Sequence, residues 1–253
     1  MAAQRTNSEL VDAVDDVLLQ TLSLARDLSE TDADLPTDCP GWTVRDVLAH
    51  MVGLEQVLQG APQPAVELPP LDHVVNEFDE YMEQHVQIRR QLPLSAIADE
   101  LAGLRSRRIP TLRSLAAHGD PDVPNPFRTQ PMSKALPIRV FDLWAHEQDI
   151  RRAVGLPPRV DGVAAEISVE RALLGWTHAI PKLLDRPATV SIEVVDGPST
   201  ELEVDGGGPS VEIRGDLATL TAVFCGRGEQ PAGVVTGDDE LVGALAGRLG
   251  LTP

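Results

Sequence analysis

Apolar residues recur at helical spacing through the first part of the chain. Between residues 8 and 29, Leu10, Val11, Val14, Val17, Leu18, Leu22 and Leu24 gather on one side with acids on the other, which predicts an amphipathic helix. PTDCPGW interrupts this pattern with two prolines and a glycine. Thr43 then reads as the N-cap of a second helix, TVRDVLAHMVGLEQVLQG, with Asp46 as a short-armed capping-box partner and Gly60 as its stop. After the proline-rich connector APQPAVELPP, helices are expected over residues 71–92 and 95–118, the first ending near Pro93. HGDPDVPNPFRTQP reads as a long loop, and MSKALPIRVFDLWAHEQDIRRAVG as a further helix with Pro137 in its first turn and Gly155 at its end.

Beyond the linker GLPPRV and one more helix, from about Gly162 to Leu184, the period changes. ATVSIEVVD, STELEVD and PSVEIRG alternate or cluster β-branched residues between Gly, Pro and Ser turns and predict strands. DLATLTAVFCG and DDELVGALAGRL return to helical spacing, each opened by an aspartate suited to capping. The expected architecture is an all-α bundle with long connections over residues 1–157, followed by a smaller α+β domain over residues 158–253. No internal repeat is visible.

Composition narrows the function classes. Hydrophobic residues make up 42% of the 253, enough for real cores, but aromatics only 3%, so the cores must be aliphatic. A formal net charge of −18 repels phosphate backbones and anionic lipid, which argues against nucleic-acid and membrane partners. No apolar run is long enough to span a bilayer, and the N-terminal MAAQRTNSELVDAVDD has no signal-peptide core. The expectation is a cytoplasmic protein. Its two cysteines, Cys39 and Cys225, form no cluster of zinc-finger type, and a disulfide between them does not suit that compartment.

The helix around DLWAHEQDIRRAVG carries more ionisable groups than its apolar content explains. Asp142, His146 and Asp149 line one stripe with Arg139 a turn earlier, and an acid and a histidine at i, i+4 can both ligate a divalent ion. HEQDI lacks the second histidine of the H-E-x-x-H zinc-protease motif. His50, on a helix whose Val47, Leu48, Met51 and Leu54 look core-directed, is the best third ligand. Three protein ligands leave an open position, as a catalytic ion requires. Glu147 falls on another face and reads as an outer or surface acid. The spacing alone leaves a second reading open, because acid-x-x-x-His pairs arise often by chance and most helix histidines are surface or half-buried groups. His73, His85, His118 and His178 show no partner pattern and read as structural or surface residues.

CPGWTVRDVLAHM followed by RVFDLWAHEQDIRRAVG resembles the mycothiol-dependent maleylpyruvate isomerase family. VEIRGDLATLTAVFCGRGEQPAGVVTGDDELVGALAGRLG is similar to that family's second domain. The resemblance covers nearly the whole chain. It implies a DinB-like four-helix bundle and a small α+β domain of sterol-carrier-protein type. It also implies a metal, zinc first among the candidates, held by His50, Asp142 and His146. The isomerase has glutamate where this chain has Asp142, so the acid here is shorter by one methylene. A functional arginine in the second domain near the metal corresponds to Arg227 in CGRG, whose guanidinium can fork a carboxylate; the alternative for Arg227 is a surface turn.

On this resemblance the chain is expected to be a metal-dependent enzyme using the low-molecular-weight thiol mycothiol. A divalent ion with an open position depresses a thiol's pKa, and the thiolate can add to a small electrophile, either for isomerisation or for S-transfer. The competing class is a non-catalytic small-molecule or lipid-binding protein with a metal-stabilised bundle. Cys39 and Trp42 read as packing and anchoring residues of the Pro-Gly-Trp turn, Trp144 as core, and Cys225 as a buried residue of an apolar helix face.

Overall fold

The computed structural model describes residues 5–126 and 128–252. The first four residues of the stretch read for a signal-peptide core, and residue 127 of the expected loop, lie outside that range. The chain divides into one unit ending at Pro158 and another beginning at Arg159.

The first unit is helical, with one short hairpin. Its elements are α1 (Asn7–Asp27), α2 (Glu30–Ala33), α3 (Val44–Val57), α4 (Glu77–Gln87), α5 (Leu94–Ala116), β1 (Asp122–Asn125), β2 (Arg128–Pro131) and α6 (Met132–Ala153). Capping boxes open three of them: Thr6 with Glu9, Ser29 with Asp32, and the expected Thr43 with Asp46. The stripe on α1 is fully buried at Val11, Val14, Val17 and Leu18, and α1 packs on both α5 and α6. α3 packs on α4, α5 and α6 and is buried at every residue from Val44 to Glu55.

A helix enclosed on all sides must satisfy its charges within the protein. Three of the four ionisable groups on α3 do so. Arg45 binds Glu30, Asp34 and the Leu92 carbonyl; Asp46 caps its own helix and binds Arg90; Glu55 binds Arg108 and Arg139. The fourth is His50.

The connections differ from the sequence reading in three places. The helix expected over 71–92 is shortened to α4, because the Asn76 side chain accepts from the Phe78 and Asp79 amides and starts the helix there, after a turn at Leu71–Val74. The expected loop before α6 holds the antiparallel β1–β2 pair, from Asp122↔Pro131 to Asn125↔Arg128, which anchors Val123 in the core. Its prolines hid it from a strand pattern. Pro137 lies inside α6, beyond its first turn, because Asp120 binds the Ser133 amide and hydroxyl and thereby starts that helix at Met132.

The second unit is α+β: α7 (Val163–Leu183), β3 (Ala188–Val194), β4 (Ser199–Val204), β5 (Ser210–Gly215), α8 (Leu217–Phe224), β6 (Val235–Gly237) and α9 (Asp239–Leu245). The sheet order is β4-β3-β5-β6, with β3 and β5 parallel and the other pairs antiparallel. Alternation sends Ala188, Val190, Ile192 and Val194 of β3 into the core. Trp176 is fully buried, donates its indole N–H to the Leu249 carbonyl at 2.8 Å and meets Phe224 edge-on. Gly175 permits that packing, since a Cβ there would stand 2.5 Å from the Phe224 ring. β6 carries no alternation long enough to have been read from sequence.

Candidate metal centre

α3 and α6 lie side by side, and the two histidine side chains meet between them. The rings of His50 and His146 are 4.7 Å apart at an interplanar angle of 69°. Asp142 Oδ1 lies 3.8 Å from His50 Nε2 and 3.7 Å from His146 Nε2. These gaps are too long for hydrogen bonds and slightly wider than the roughly 3–3.5 Å that separates two donors sharing an ion at about 2.1 Å. His50 is 3% exposed, and neither of its ring nitrogens has a hydrogen-bond partner. An enclosed imidazole with both nitrogens orphaned costs stability unless something else binds it. A divalent cation suits the donor set of two imidazoles and one carboxylate.

The electrostatics prepare all three donors. Burial pushes the His50 pKa down to about 4, His146 and Arg139 adding to the effect and Asp142 opposing it, so the ring stays neutral and able to ligate. Burial alone would raise the pKa of Asp142, but Arg139 and the two imidazoles outweigh it and hold the carboxyl well below the usual carboxylate range. Arg139 binds the second oxygen of Asp142 one turn away on α6. Its Nε donates to Glu55 Oε1 at 2.8 Å, and Arg108 Nε stands 3.0 Å from Glu55 Oε2. A wholly buried Glu55 therefore ties Arg139, and through it Asp142, to α3.

His146 is held from its other side. Asp149 Oδ2 lies 3.0 Å from His146 Nδ1 and 3.0 Å from Cys39 Sγ, while Asp149 Oδ1 accepts from Arg152 at 2.5 Å. Cys39, His146 and Asp149 form a second group of donor types near one another among the described residues. Their contacts to Asp149 are hydrogen-bond lengths, so they satisfy one another, unlike His50. Trp42 covers the site, its indole 4.9 Å from the His50 ring and 6.2 Å from that of His146. Glu83 fixes that indole by accepting its N–H at 2.8 Å and also binds His73 and Arg90.

The structure thus brings together His50, Asp142 and His146. Arg227 lies in the second unit just after α8, between Gly226 and Gly228, both of positive φ. It is 7% exposed and donates to the Cys225 carbonyl at 2.7 Å, so it is a buried residue of its turn and not a surface one. Glu147 is fully buried and paired with Arg151, so it is no surface acid. His118 and His178 are exposed, each bonded to the carbonyl one turn earlier. His73 binds Glu83 and lies against Gly41 in the turn before α3, and His85 packs on α3 itself. His85 is 1% exposed with neither nitrogen hydrogen-bonded, over Gly53, where a Cβ would stand 2.4 Å from its own. Both cysteines are buried, and neither is in a disulfide. Sequence reasoning missed the joint role of Cys39, Asp149 and Glu83; the i, i+3 spacing of His146 and Asp149 was its only local signal.

A helical domain holding two inward histidines and a carboxylate from neighbouring helices defines a class of candidate metal-binding bundles. Residues 14–151 match the mycothiol maleylpyruvate isomerase N-terminal domain, and the chain belongs to that family. Among solved structures, the chain is similar to the mycothiol-dependent maleylpyruvate isomerase, with a TM-score of 0.63 and 15% identity over 92% of this chain and 93% of that one. It is also similar to a histidine-to-alanine mutant of that isomerase, with a TM-score of 0.61 and 16% identity over the same shares. Comparison with curated proteins yields no match. Among the described residues, no helix is long and apolar enough to cross a membrane.

Proposed function

We propose that the protein is a metal-dependent enzyme of the cytoplasm that activates mycothiol for transfer to, or isomerisation of, a small electrophile. In this reading the first unit is a four-helix bundle of DinB type, formed by α1, α3, α5 and α6, and the second a domain of sterol-carrier-protein type. His50, Asp142 and His146 would hold the ion, zinc being the first candidate. The observation that carries the proposal is the convergence of His50 Nε2, His146 Nε2 and Asp142 Oδ1 around an imidazole with no other partner.

A divalent ion held there would lower the pKa of an external thiol, so that the thiolate could act as nucleophile near neutral pH. The chain's own residues prepare this. The two imidazoles give neutral donors, Asp142 gives one anionic oxygen, and Arg139 holds the other so that the carboxylate cannot turn. Three protein donors leave a position open for the thiol. Trp42 shields the imidazoles from water and so strengthens their interaction with charge. Arg227 is the proposed carboxylate-binding residue of the second unit.

Metal analysis of purified protein tests the reading. One divalent ion per chain, lost in His50→Ala and His146→Ala, together with conversion of a model electrophile only when metal and mycothiol are both present, is the expected result. A protein that takes up no zinc, or that turns over equally well without the thiol, would overturn it.

A further inference from the structure

We infer that Asp149, itself positioned by Cys39 and Arg152, sets the ring orientation and tautomer of His146, and that Cys39 acts here as a hydrogen-bond donor outside the coordination sphere. This rests on the metal-site reading above.

The carboxylate of Asp149 is 1% exposed and is used on both oxygens. Oδ2 lies 3.0 Å from His146 Nδ1 and 3.0 Å from Cys39 Sγ; Oδ1 accepts from Arg152 Nη2 at 2.5 Å. Arg152 is anchored in turn by Asp38, the residue preceding Cys39, at 2.9 Å. The turn before α3 and the last turns of α6 are therefore joined through Asp149. A carboxylate can only accept, so His146 Nδ1 must carry the proton in this contact, and the Nε2 lone pair then faces His50 and Asp142. Carboxylate, imidazole and metal in line is the arrangement that fixes a ligating histidine and raises its basicity.

The same geometry fixes the role of the thiol. Cys39 Sγ is 3.9 Å from His146 Nδ1, on the side of the ring opposite the Nε2 that faces Asp142. Its S–H supplies a second donor to the Asp149 oxygen that receives the imidazole proton, keeping that oxygen aimed at the ring. The cysteine of the CPGW turn is thus a positioning residue.

Asp149→Asn is the discriminating variant. Its amide keeps the shape but has one acceptor for two sides: either the NH2 group faces Arg152, or it faces Nδ1 and forces the tautomer that cannot ligate through Nε2. Zinc affinity, measured by competition with a chromogenic chelator, is expected to fall about ten- to a hundredfold. Cys39→Ala should lower it by a smaller factor and Cys39→Ser should restore it, because the hydroxyl donates to the same oxygen. Cobalt(II)-loaded wild-type protein should show no thiolate-to-metal charge-transfer band. If Asp149→Asn does not fold cooperatively, Arg152→Ala takes its place, and its expected loss is also severalfold. Wild-type zinc affinity in Cys39→Ala together with Asp149→Asn or Arg152→Ala would overturn the inference, as would a charge-transfer band or a second ion per chain removed by Cys39→Ala. Absence of zinc binding in the wild type would instead defeat the underlying site.

Discussion

Arg139 and Asp142, one turn apart on α6, are joined so that one oxygen of the aspartate is taken by the guanidinium and the other is left to the two histidines. The carboxylate is thereby aimed before any ligand arrives, and the site's behaviour should follow from that arrangement.

Removing Asp142 should separate metal affinity from folding. Asp142→Ala leaves Arg139 bonded to Glu55 and to the Met51 carbonyl, so the protein should fold while its zinc affinity drops at least tenfold. In the wild type, zinc at a hundred times its dissociation constant should add about 2.7 kcal/mol of stability, and none in His50→Ala. Thermal melts with zinc and with chelator read both effects.

Glu55 is a far costlier position. It is fully buried between Arg108 and Arg139, and Glu55→Ala would strand two guanidiniums. A loss of about 3–5 kcal/mol is expected in urea unfolding, larger than for any single metal ligand in the absence of metal.

The metal-free protein should weaken in mild acid. His50 and His85 have folded-state pKa values pushed down to about 4 from an ordinary 6.5, in both cases first by burial. Between these values the unfolded chain takes up protons that the folded chain refuses. Their contribution is complete above about pH 6.5 and is lost as the pH falls toward 4, by up to about 1.4 kcal/mol per pH unit for each histidine. Urea midpoints measured in chelator should show this decline, and His85→Leu should make it shallower than in the wild type. Identical slopes would contradict the assignment.

Gly53 should resist even the smallest side chain. Its missing Cβ is the space taken by His85, 2.4 Å away, so Gly53→Ala should push α4 off α3 and cost about 1–3 kcal/mol. A melt as stable as the wild type would show that His85 can turn aside.

Much of this was written along the chain. The period of apolar residues placed the long helices, the change of period placed β3, β4 and β5, and Thr43 with Asp46 placed the start of α3, because helix spacing, strand alternation and capping act between near neighbours. His50, Asp142 and His146, whose side chains the structure brings together, were singled out too, through motif order and an i, i+4 pair. What needed the tertiary structure was every relationship between distant segments: that His50 is left without a partner while Arg45, Asp46 and Glu55 find theirs, that Cys39 reaches Asp149, and that Glu83 holds Trp42 over the imidazoles. Local sequence sets which face a side chain takes, but a buried charge is satisfied or stranded only by whatever the other helices bring against it, and that is decided when they pack.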